Sequence, residues 1–173
     1  ALPVSAAPPN VVVSIAPLHS LVTGVMQGIA EPALLIDSGQ SPHQNSLRPS
    51  QRRKLANAGL LVWVGPAFET SLAKAARQQP ETELLTLLDT RAVERLPARE
   101  SSIWTQAPDT EGEAQLRAEE ADHEEHEEHE EHKLHTHGQY DPHIWLSTRN
   151  AAAIVVQVSE RLSQIDAENA DQY

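Results

Sequence analysis

Histidine dominates the possible chemistry of this chain. It has nine histidines and no cysteine, so no thiolate metal site, thiol nucleophile or disulfide framework can form. Six histidines crowd one stretch: His123, His126, His129, His132 and His135 repeat every third residue with Glu-Glu in most gaps, and His137 follows. Imidazole and carboxylate are donors suited to Zn²⁺, Ni²⁺ and Cu²⁺. A step of three falls about 60° short of a full α-helical turn, so the histidines do not share one helix face. The tract reads as a flexible set of weak metal sites rather than one preorganised cage, because each site must first order a loose chain. The competing reading is a solvated acidic linker.

Three further histidines lie elsewhere. His43 sits in Gly39-Gln40-Ser41-Pro42-His43, just beyond an expected strand, and His143 sits in Asp141-Pro142-His143-Ile144-Trp145. In open α/β sheets, ligands gather outside the carboxyl ends of the strands, where His43 is expected. Each follows a proline, which restrains its loop. Taken singly, each reads better as a surface or capping histidine. Asp141 could orient His143 as a carboxylate partner or act as an Asx-type turn residue. His19 opens a helix, whose N-terminal dipole disfavours a bound cation, so it reads as a packing or supporting residue. Glu69 lies near the same edge and reads as a solvated first-turn carboxylate. There is no Gly-rich phosphate loop and no Gly-x-Ser-x-Gly nucleophile elbow.

The elements that must position these groups follow from hydrophobic periodicity. Residues 11–15 form a β-branched run, expected as a buried strand, and Pro17 opens a helix carrying Leu18, Leu21, Val22, Val25 and Ile29. Further strands are expected over residues 32–37, 60–64 and 84–88, with helices over 49–58 and 68–77. Ser147 is a candidate N-cap for a long helix with Ala151, Ile154, Val155, Val158, Leu162 and Ile165 at helical spacing, and a further helix is expected to begin near Asp166. Short strand–helix alternation implies parallel strands and right-handed crossovers. The expected class is therefore α/β: a doubly wound, mainly parallel sheet of four to five strands with flanking helices.

Charge divides the chain sharply. The 173 residues carry a formal charge of −12, and residues 100–139 hold 13 acids and 2 bases, a net of −11. The remainder is close to neutral, so the acidity belongs to one disordered insert, residues 101–139. The absence of a basic patch argues against a nucleic-acid partner, and no apolar run approaches the ~20 residues of a bilayer span. Residues 1–10, rich in proline, form an extended arm that looks like the start left after removal of a leader.

Four stretches taken together resemble a known family: residues 11–22 with Pro17-Leu18-His19, residues 39–50 with Pro42-His43 and Leu47-Arg48-Pro49-Ser50, residues 57–69 with Val62-Trp63-Val64-Gly65-Pro66, and residues 141–147. In this order they resemble the metal-specific solute-binding proteins of bacterial ABC importers. A His/acid-rich insert before Asp-Pro-His points within them to the zinc-uptake branch. The resemblance implies two α/β lobes joined by a long rigid helix, Zn²⁺ in the cleft between them, and His43 and His143 as the ligands of the first lobe. It implies an N-terminal lobe at residues 11–147, the linking helix and the start of the next at 148–173, and further ligands from a second lobe. Pro42 departs from members with a glutamate there. A periplasmic protein exported through a signal peptide, monomeric when full length, delivering Zn²⁺ to a membrane permease and transforming nothing is the expectation.

Three alternatives accompany it. A manganese or iron importer would prefer more carboxylate than this donor set offers. A metal-dependent adhesin of the same fold is a second. A zinc hydrolase would need a general base beside the metal, for which Glu69 is the local candidate.

Overall fold

The computed structural model describes residues 7–43, 46–98 and 139–173. The six clustered histidines, residues 1–6 and most of the acidic stretch lie outside the described residues.

Four strands form a parallel sheet: β1 (Val11–Val13), β2 (Ala33–Leu34), β3 (Leu60–Trp63) and β4 (Glu83–Thr86), in the order β2-β1-β3-β4. Val12 pairs with Ala33 and Leu61, and Val62 pairs with Val13 and Leu85. The central strands β1 and β3 are buried at every position, because a sheet covered on both faces has no polar side to alternate with. The helices are α1 (Ala16–Val25), α2 (Pro49–Ala56), α3 (Thr70–Ala76) and α4 (Thr148–Ile165). α1 packs on α4, burying Leu18 and Val22 of one and Ile154, Val158 and Leu162 of the other at helical spacing. Ser147 caps α4 as expected, its hydroxyl accepting from Asn150 N at 3.3 Å.

The expected α/β class and parallel sheet are therefore realised with four strands. Three elements differ from expectation. The strand expected over residues 32–37 shrinks to Ala33–Leu34, with Leu35 N and Ile36 N still donating to Val13 O and Ser14 O. The strand expected over 84–88 turns into a 3-10 helix at Leu87–Asp89. Past α4 there is a single 3-10 turn, Ala167–Asn169, where the Asp166 carboxylate accepts from Tyr173 Oη at 2.7 Å and Asn169 Nδ2 at 2.9 Å.

The strand order has one functional consequence. The chain moves from β1 outward to β2, then crosses back over β1 to β3, so successive crossovers run in opposite directions along the sheet. Right-handed crossovers then put α1 on one face and α2 on the other. The reversal leaves a crevice beyond the carboxyl ends of β1 and β3, the usual ligand position in open α/β sheets. No helix among the described residues is long and apolar enough to cross a membrane.

Candidate metal centre

Three chain segments meet at the carboxyl edge of the sheet. The first is the β2–α2 loop, which carries His43. Gly39 turns it at φ +92°, and His43 N donates to Ser41 Oγ at 3.3 Å. Buried Gln51 of α2 straps the loop to both of its ends: its Nε2 donates to Leu35 O at 2.9 Å, and its Oε1 accepts from Arg48 N at 2.8 Å. His43 itself is exposed.

The second segment is residues 139–147, carrying His143. Its start is paired with the chain before the insert: Asp141 N donates to Leu96 O at 2.8 Å, Ala98 N to Gln139 O at 3.1 Å, and Pro97 and Tyr140 form an antiparallel bridge. Behind this ladder, buried Asn150 holds Glu94 at both backbone groups, accepting from Glu94 N at 2.9 Å and donating to Glu94 O at 3.0 Å. Asp141 Oδ1 then accepts from His143 N at 2.9 Å and faces His143 Nδ1 at 2.7 Å. Asp141 is thus both the turn residue and the ring-orienting partner that the sequence left as alternatives. A proton on Nδ1 would face the carboxylate and leave Nε2 as the acceptor nitrogen of the ring.

The third segment, the β3–α3 loop, was absent from the sequence-based list of binding groups except for Glu69. Phe68, 2% exposed, sets its ring edge-to-face against His43 at a centroid distance of 4.7 Å and against His143 at 5.3 Å. Trp145 completes the cluster, 5.2 Å from Phe68 and 5.4 Å from His143. One phenyl ring therefore serves as a common wall for two histidines 100 positions apart in sequence. The available signal was that Phe68 is the only phenylalanine of the chain and adjoins the expected site edge.

Glu69 overturns its sequence-based description. It is completely buried, not a solvated first-turn carboxylate. Its Oε2 accepts from Gly65 N at 2.9 Å, and its Oε1 faces Val64 N at 3.5 Å, so the side chain folds back over its own loop. Burial pushes the carboxyl up to about 7, opposed by the Gly65 N–H, the Ser14 hydroxyl and the Val64 N–H. Ser14 ends β1 and is buried as well, near enough to act on that carboxyl yet outside standard hydrogen-bond geometry. The crevice between β1 and β3 is thus occupied by the protein's own carboxyl group. His43 and His143 lie on the far side of Phe68, against its ring.

His19 Nε2 lies 2.9 Å from Pro32 O, a bond that ties the first turns of α1 to the approach of β2. This is the packing role. Among the described residues no group of three or more His, Asp or Glu side chains is placed to hold a metal ion. Two imidazoles, one oriented by a carboxylate, fit part of a tetrahedral zinc shell, which needs four ligands.

An open parallel sheet that brings His43 and His143 against one phenyl ring beyond its carboxyl edge is an α/β fold with a candidate metal centre. The chain belongs to the family described as the periplasmic zinc-uptake complex component A, ZnuA, whose pattern it matches over residues 11–173. It is 37% identical to the high-affinity zinc uptake system protein ZnuA of Paracoccus denitrificans over 176 residues, covering 100% of this chain and 53% of that protein. Against the proteins of the same name from Brucella abortus and Yersinia pestis the identities are 34% and 31%, covering 51% and 50% of those proteins and 95% and 98% of this chain. The chain thus spans about half the length of the curated relatives it matches. In fold it is similar to Zn(II)-bound AdcA from Streptococcus pneumoniae, with a TM-score of 0.64 at 18% identity over 95% of this chain and 28% of that one. It is also similar to a Mn-bound periplasmic metal-binding protein from Candidatus Liberibacter asiaticus, with a TM-score of 0.63 at 17% identity over 95% of this chain and 48% of that one.

Proposed function

We propose that this chain is the first lobe of a periplasmic zinc-binding protein, which captures Zn²⁺ and, with a second lobe, presents it to the permease of an ABC importer. The observation that carries this reading is the pairing of His43 and His143 on one Phe68 ring, with His143 Nδ1 held by Asp141. Residues 11–147 supply the two histidines, α4 leads toward the second lobe, and the rest of the shell comes from outside these residues. Two neutral imidazoles favour Zn²⁺ over the more carboxylate-seeking Mn²⁺.

The protein acts by binding and release, not by catalysis. A hydrolytic site would need Glu69 to take a proton from metal-bound water. That carboxyl is fully buried and committed to its own loop, so it has no access to such a water.

His123, His126, His129, His132, His135 and His137 serve as low-affinity collectors of the same ion. The described residues on either side of them are joined beside the site, since Ala98 N donates to Gln139 O and Asp141 follows two residues later. Calorimetric zinc titration tests the reading. Several weak equivalents are expected, most of them lost on deleting residues 123–137, leaving one weak site that vanishes in the His43→Ala, His143→Ala double variant. A single nanomolar site that survives the deletion and the double variant would refute it.

A further inference from the structure

The β3–α3 loop is more rigid than a ligand-bearing edge requires. Gly65 sits at φ +144°, where a side chain is strained, and a Cβ there would stand 3.1 Å from Thr86 Cγ2. Phe68 N and Glu69 N both donate to Gly65 O at 3.0 Å, and the buried Glu69 carboxyl returns to Gly65 N. Gly65 and Glu69 therefore lock the backbone on either side of Phe68. Phe68, whose ring meets both His43 and His143, lies between these two anchors.

We propose that Phe68 is the positioning residue of the metal site: it fixes the angle between the His43 and His143 rings and dries their inner side, and so favours Zn²⁺ over Mn²⁺. This rests on the assignment of those two histidines as ligands. Each edge-to-face contact restricts one imidazole before the metal arrives, so less side-chain entropy is lost on binding. The restriction weighs most for His43, which is exposed on its loop. The phenyl ring has no hydrogen-bond donor or acceptor with which to hold a coordinated water on that side. Zn²⁺ is satisfied by four ligands, with nitrogen donors welcome. Mn²⁺ favours octahedral, oxygen-rich shells, in which water is a common ligand, so a dry wall penalises it more.

The test uses the full chain with Zn²⁺ and Mn²⁺ as probes. Binding is followed at the ring resonances of His43 and His143, which separates this site from the clustered histidines, with Mn²⁺ read by paramagnetic broadening. Phe68→Leu keeps an apolar side chain without the ring, Phe68→Met provides a second, more adaptable replacement, and Phe68→Tyr restores an aromatic wall. The expected result is a loss of about ten-fold or more in zinc affinity and a smaller zinc-to-manganese ratio in the Leu and Met variants. The His143 Nδ1–H signal should remain, and Phe68→Tyr should recover most of both losses. Folded Leu or Met variants with unchanged affinity and ratio would overturn the proposal, as would a Tyr variant no better than Leu. Failure of the ligand assignment gives a different result: His43 and His143 resonances that do not respond to zinc even in the unsubstituted chain.

Discussion

The two histidine-bearing segments reach the same place by different means. Residues 139–147 are built from hydrogen bonds: a ladder to Leu96, a buried Asn150 behind it, and a carboxylate on the imidazole itself. The β2–α2 loop is tied at its two ends by Gln51, while the exposed His43 at its crest leans on Phe68. One histidine is held through polar bonds, with a carboxylate facing its Nδ1, and the other through packing against an aromatic ring.

The strongest test of this contrast is to remove each ligand in turn. His143→Ala is expected to weaken zinc binding at this site by at least about ten-fold more than His43→Ala, because it deletes the ligand whose ordering cost is already met. Site-resolved zinc titration decides it; equal losses would mean that the two segments are equally preorganised.

The carboxyl next to Phe68 adds a pH response read in stability. The Glu69 carboxyl is raised in the native state from 4.5 to about 7, so folding favours its protonated form. Its contribution to stability is fully present below about pH 4.5 and is lost as pH rises through about 7, an effect on the order of 3 kcal/mol. In Glu69→Gln, denaturant midpoints measured from pH 5 to pH 8 are expected to lose most of this downward slope. A slope unchanged by the substitution would assign it to other groups.

Asp141→Asn sharpens the comparison from the firm side. The amide no longer supplies a charged partner for Nδ1, and metal affinity is expected to fall by about 10- to 100-fold while thermal unfolding moves little. Its counterpart on the other loop is read in stability rather than in affinity. Gln51→Ala leaves Leu35 O and Arg48 N without their side-chain partner and is expected to cost about 1–3 kcal/mol of stability, with faster amide exchange confined to the β2–α2 loop. Exchange slowed or unaltered there would show that His43 is held by something other than this strap.

Local pattern carried much of the fold. The apolar runs behind the strands expected over residues 11–15 and 60–64, the proline and cap signals at Pro17, Pro49 and Ser147, and the 3.6-residue period of α4 depend on nearest neighbours and backbone geometry alone, and a strand or helix forms at each. The parallel sheet followed from alternation, and both His43 and His143 were singled out by their proline-bounded loops. Less local features were misjudged. The short β2 and the turn ending β4 depend on how far each edge strand finds a partner, which no window of sequence contains.

Residue types and spacing by themselves determined that this chain must use imidazole and carboxylate donors, that an acidic His-rich tract interrupts an otherwise neutral α/β lobe, and that helices and strands alternate. Tertiary structure alone decided what those groups are for. Asp141 became a turn residue and a histidine partner at once because the ladder to Leu96 aims it. Glu69 passed from an exposed first-turn acid to a buried clasp because crossing back over β1 opens a crevice that its side chain fills. Phe68, with no polar atom to advertise it, became the shared wall of two distant histidines. The physical reason is common to all three. Burial and the pairing of residues far apart in sequence depend on how strands are ordered in space, and the free energy of a carboxylate or an aromatic ring is set by what surrounds it there.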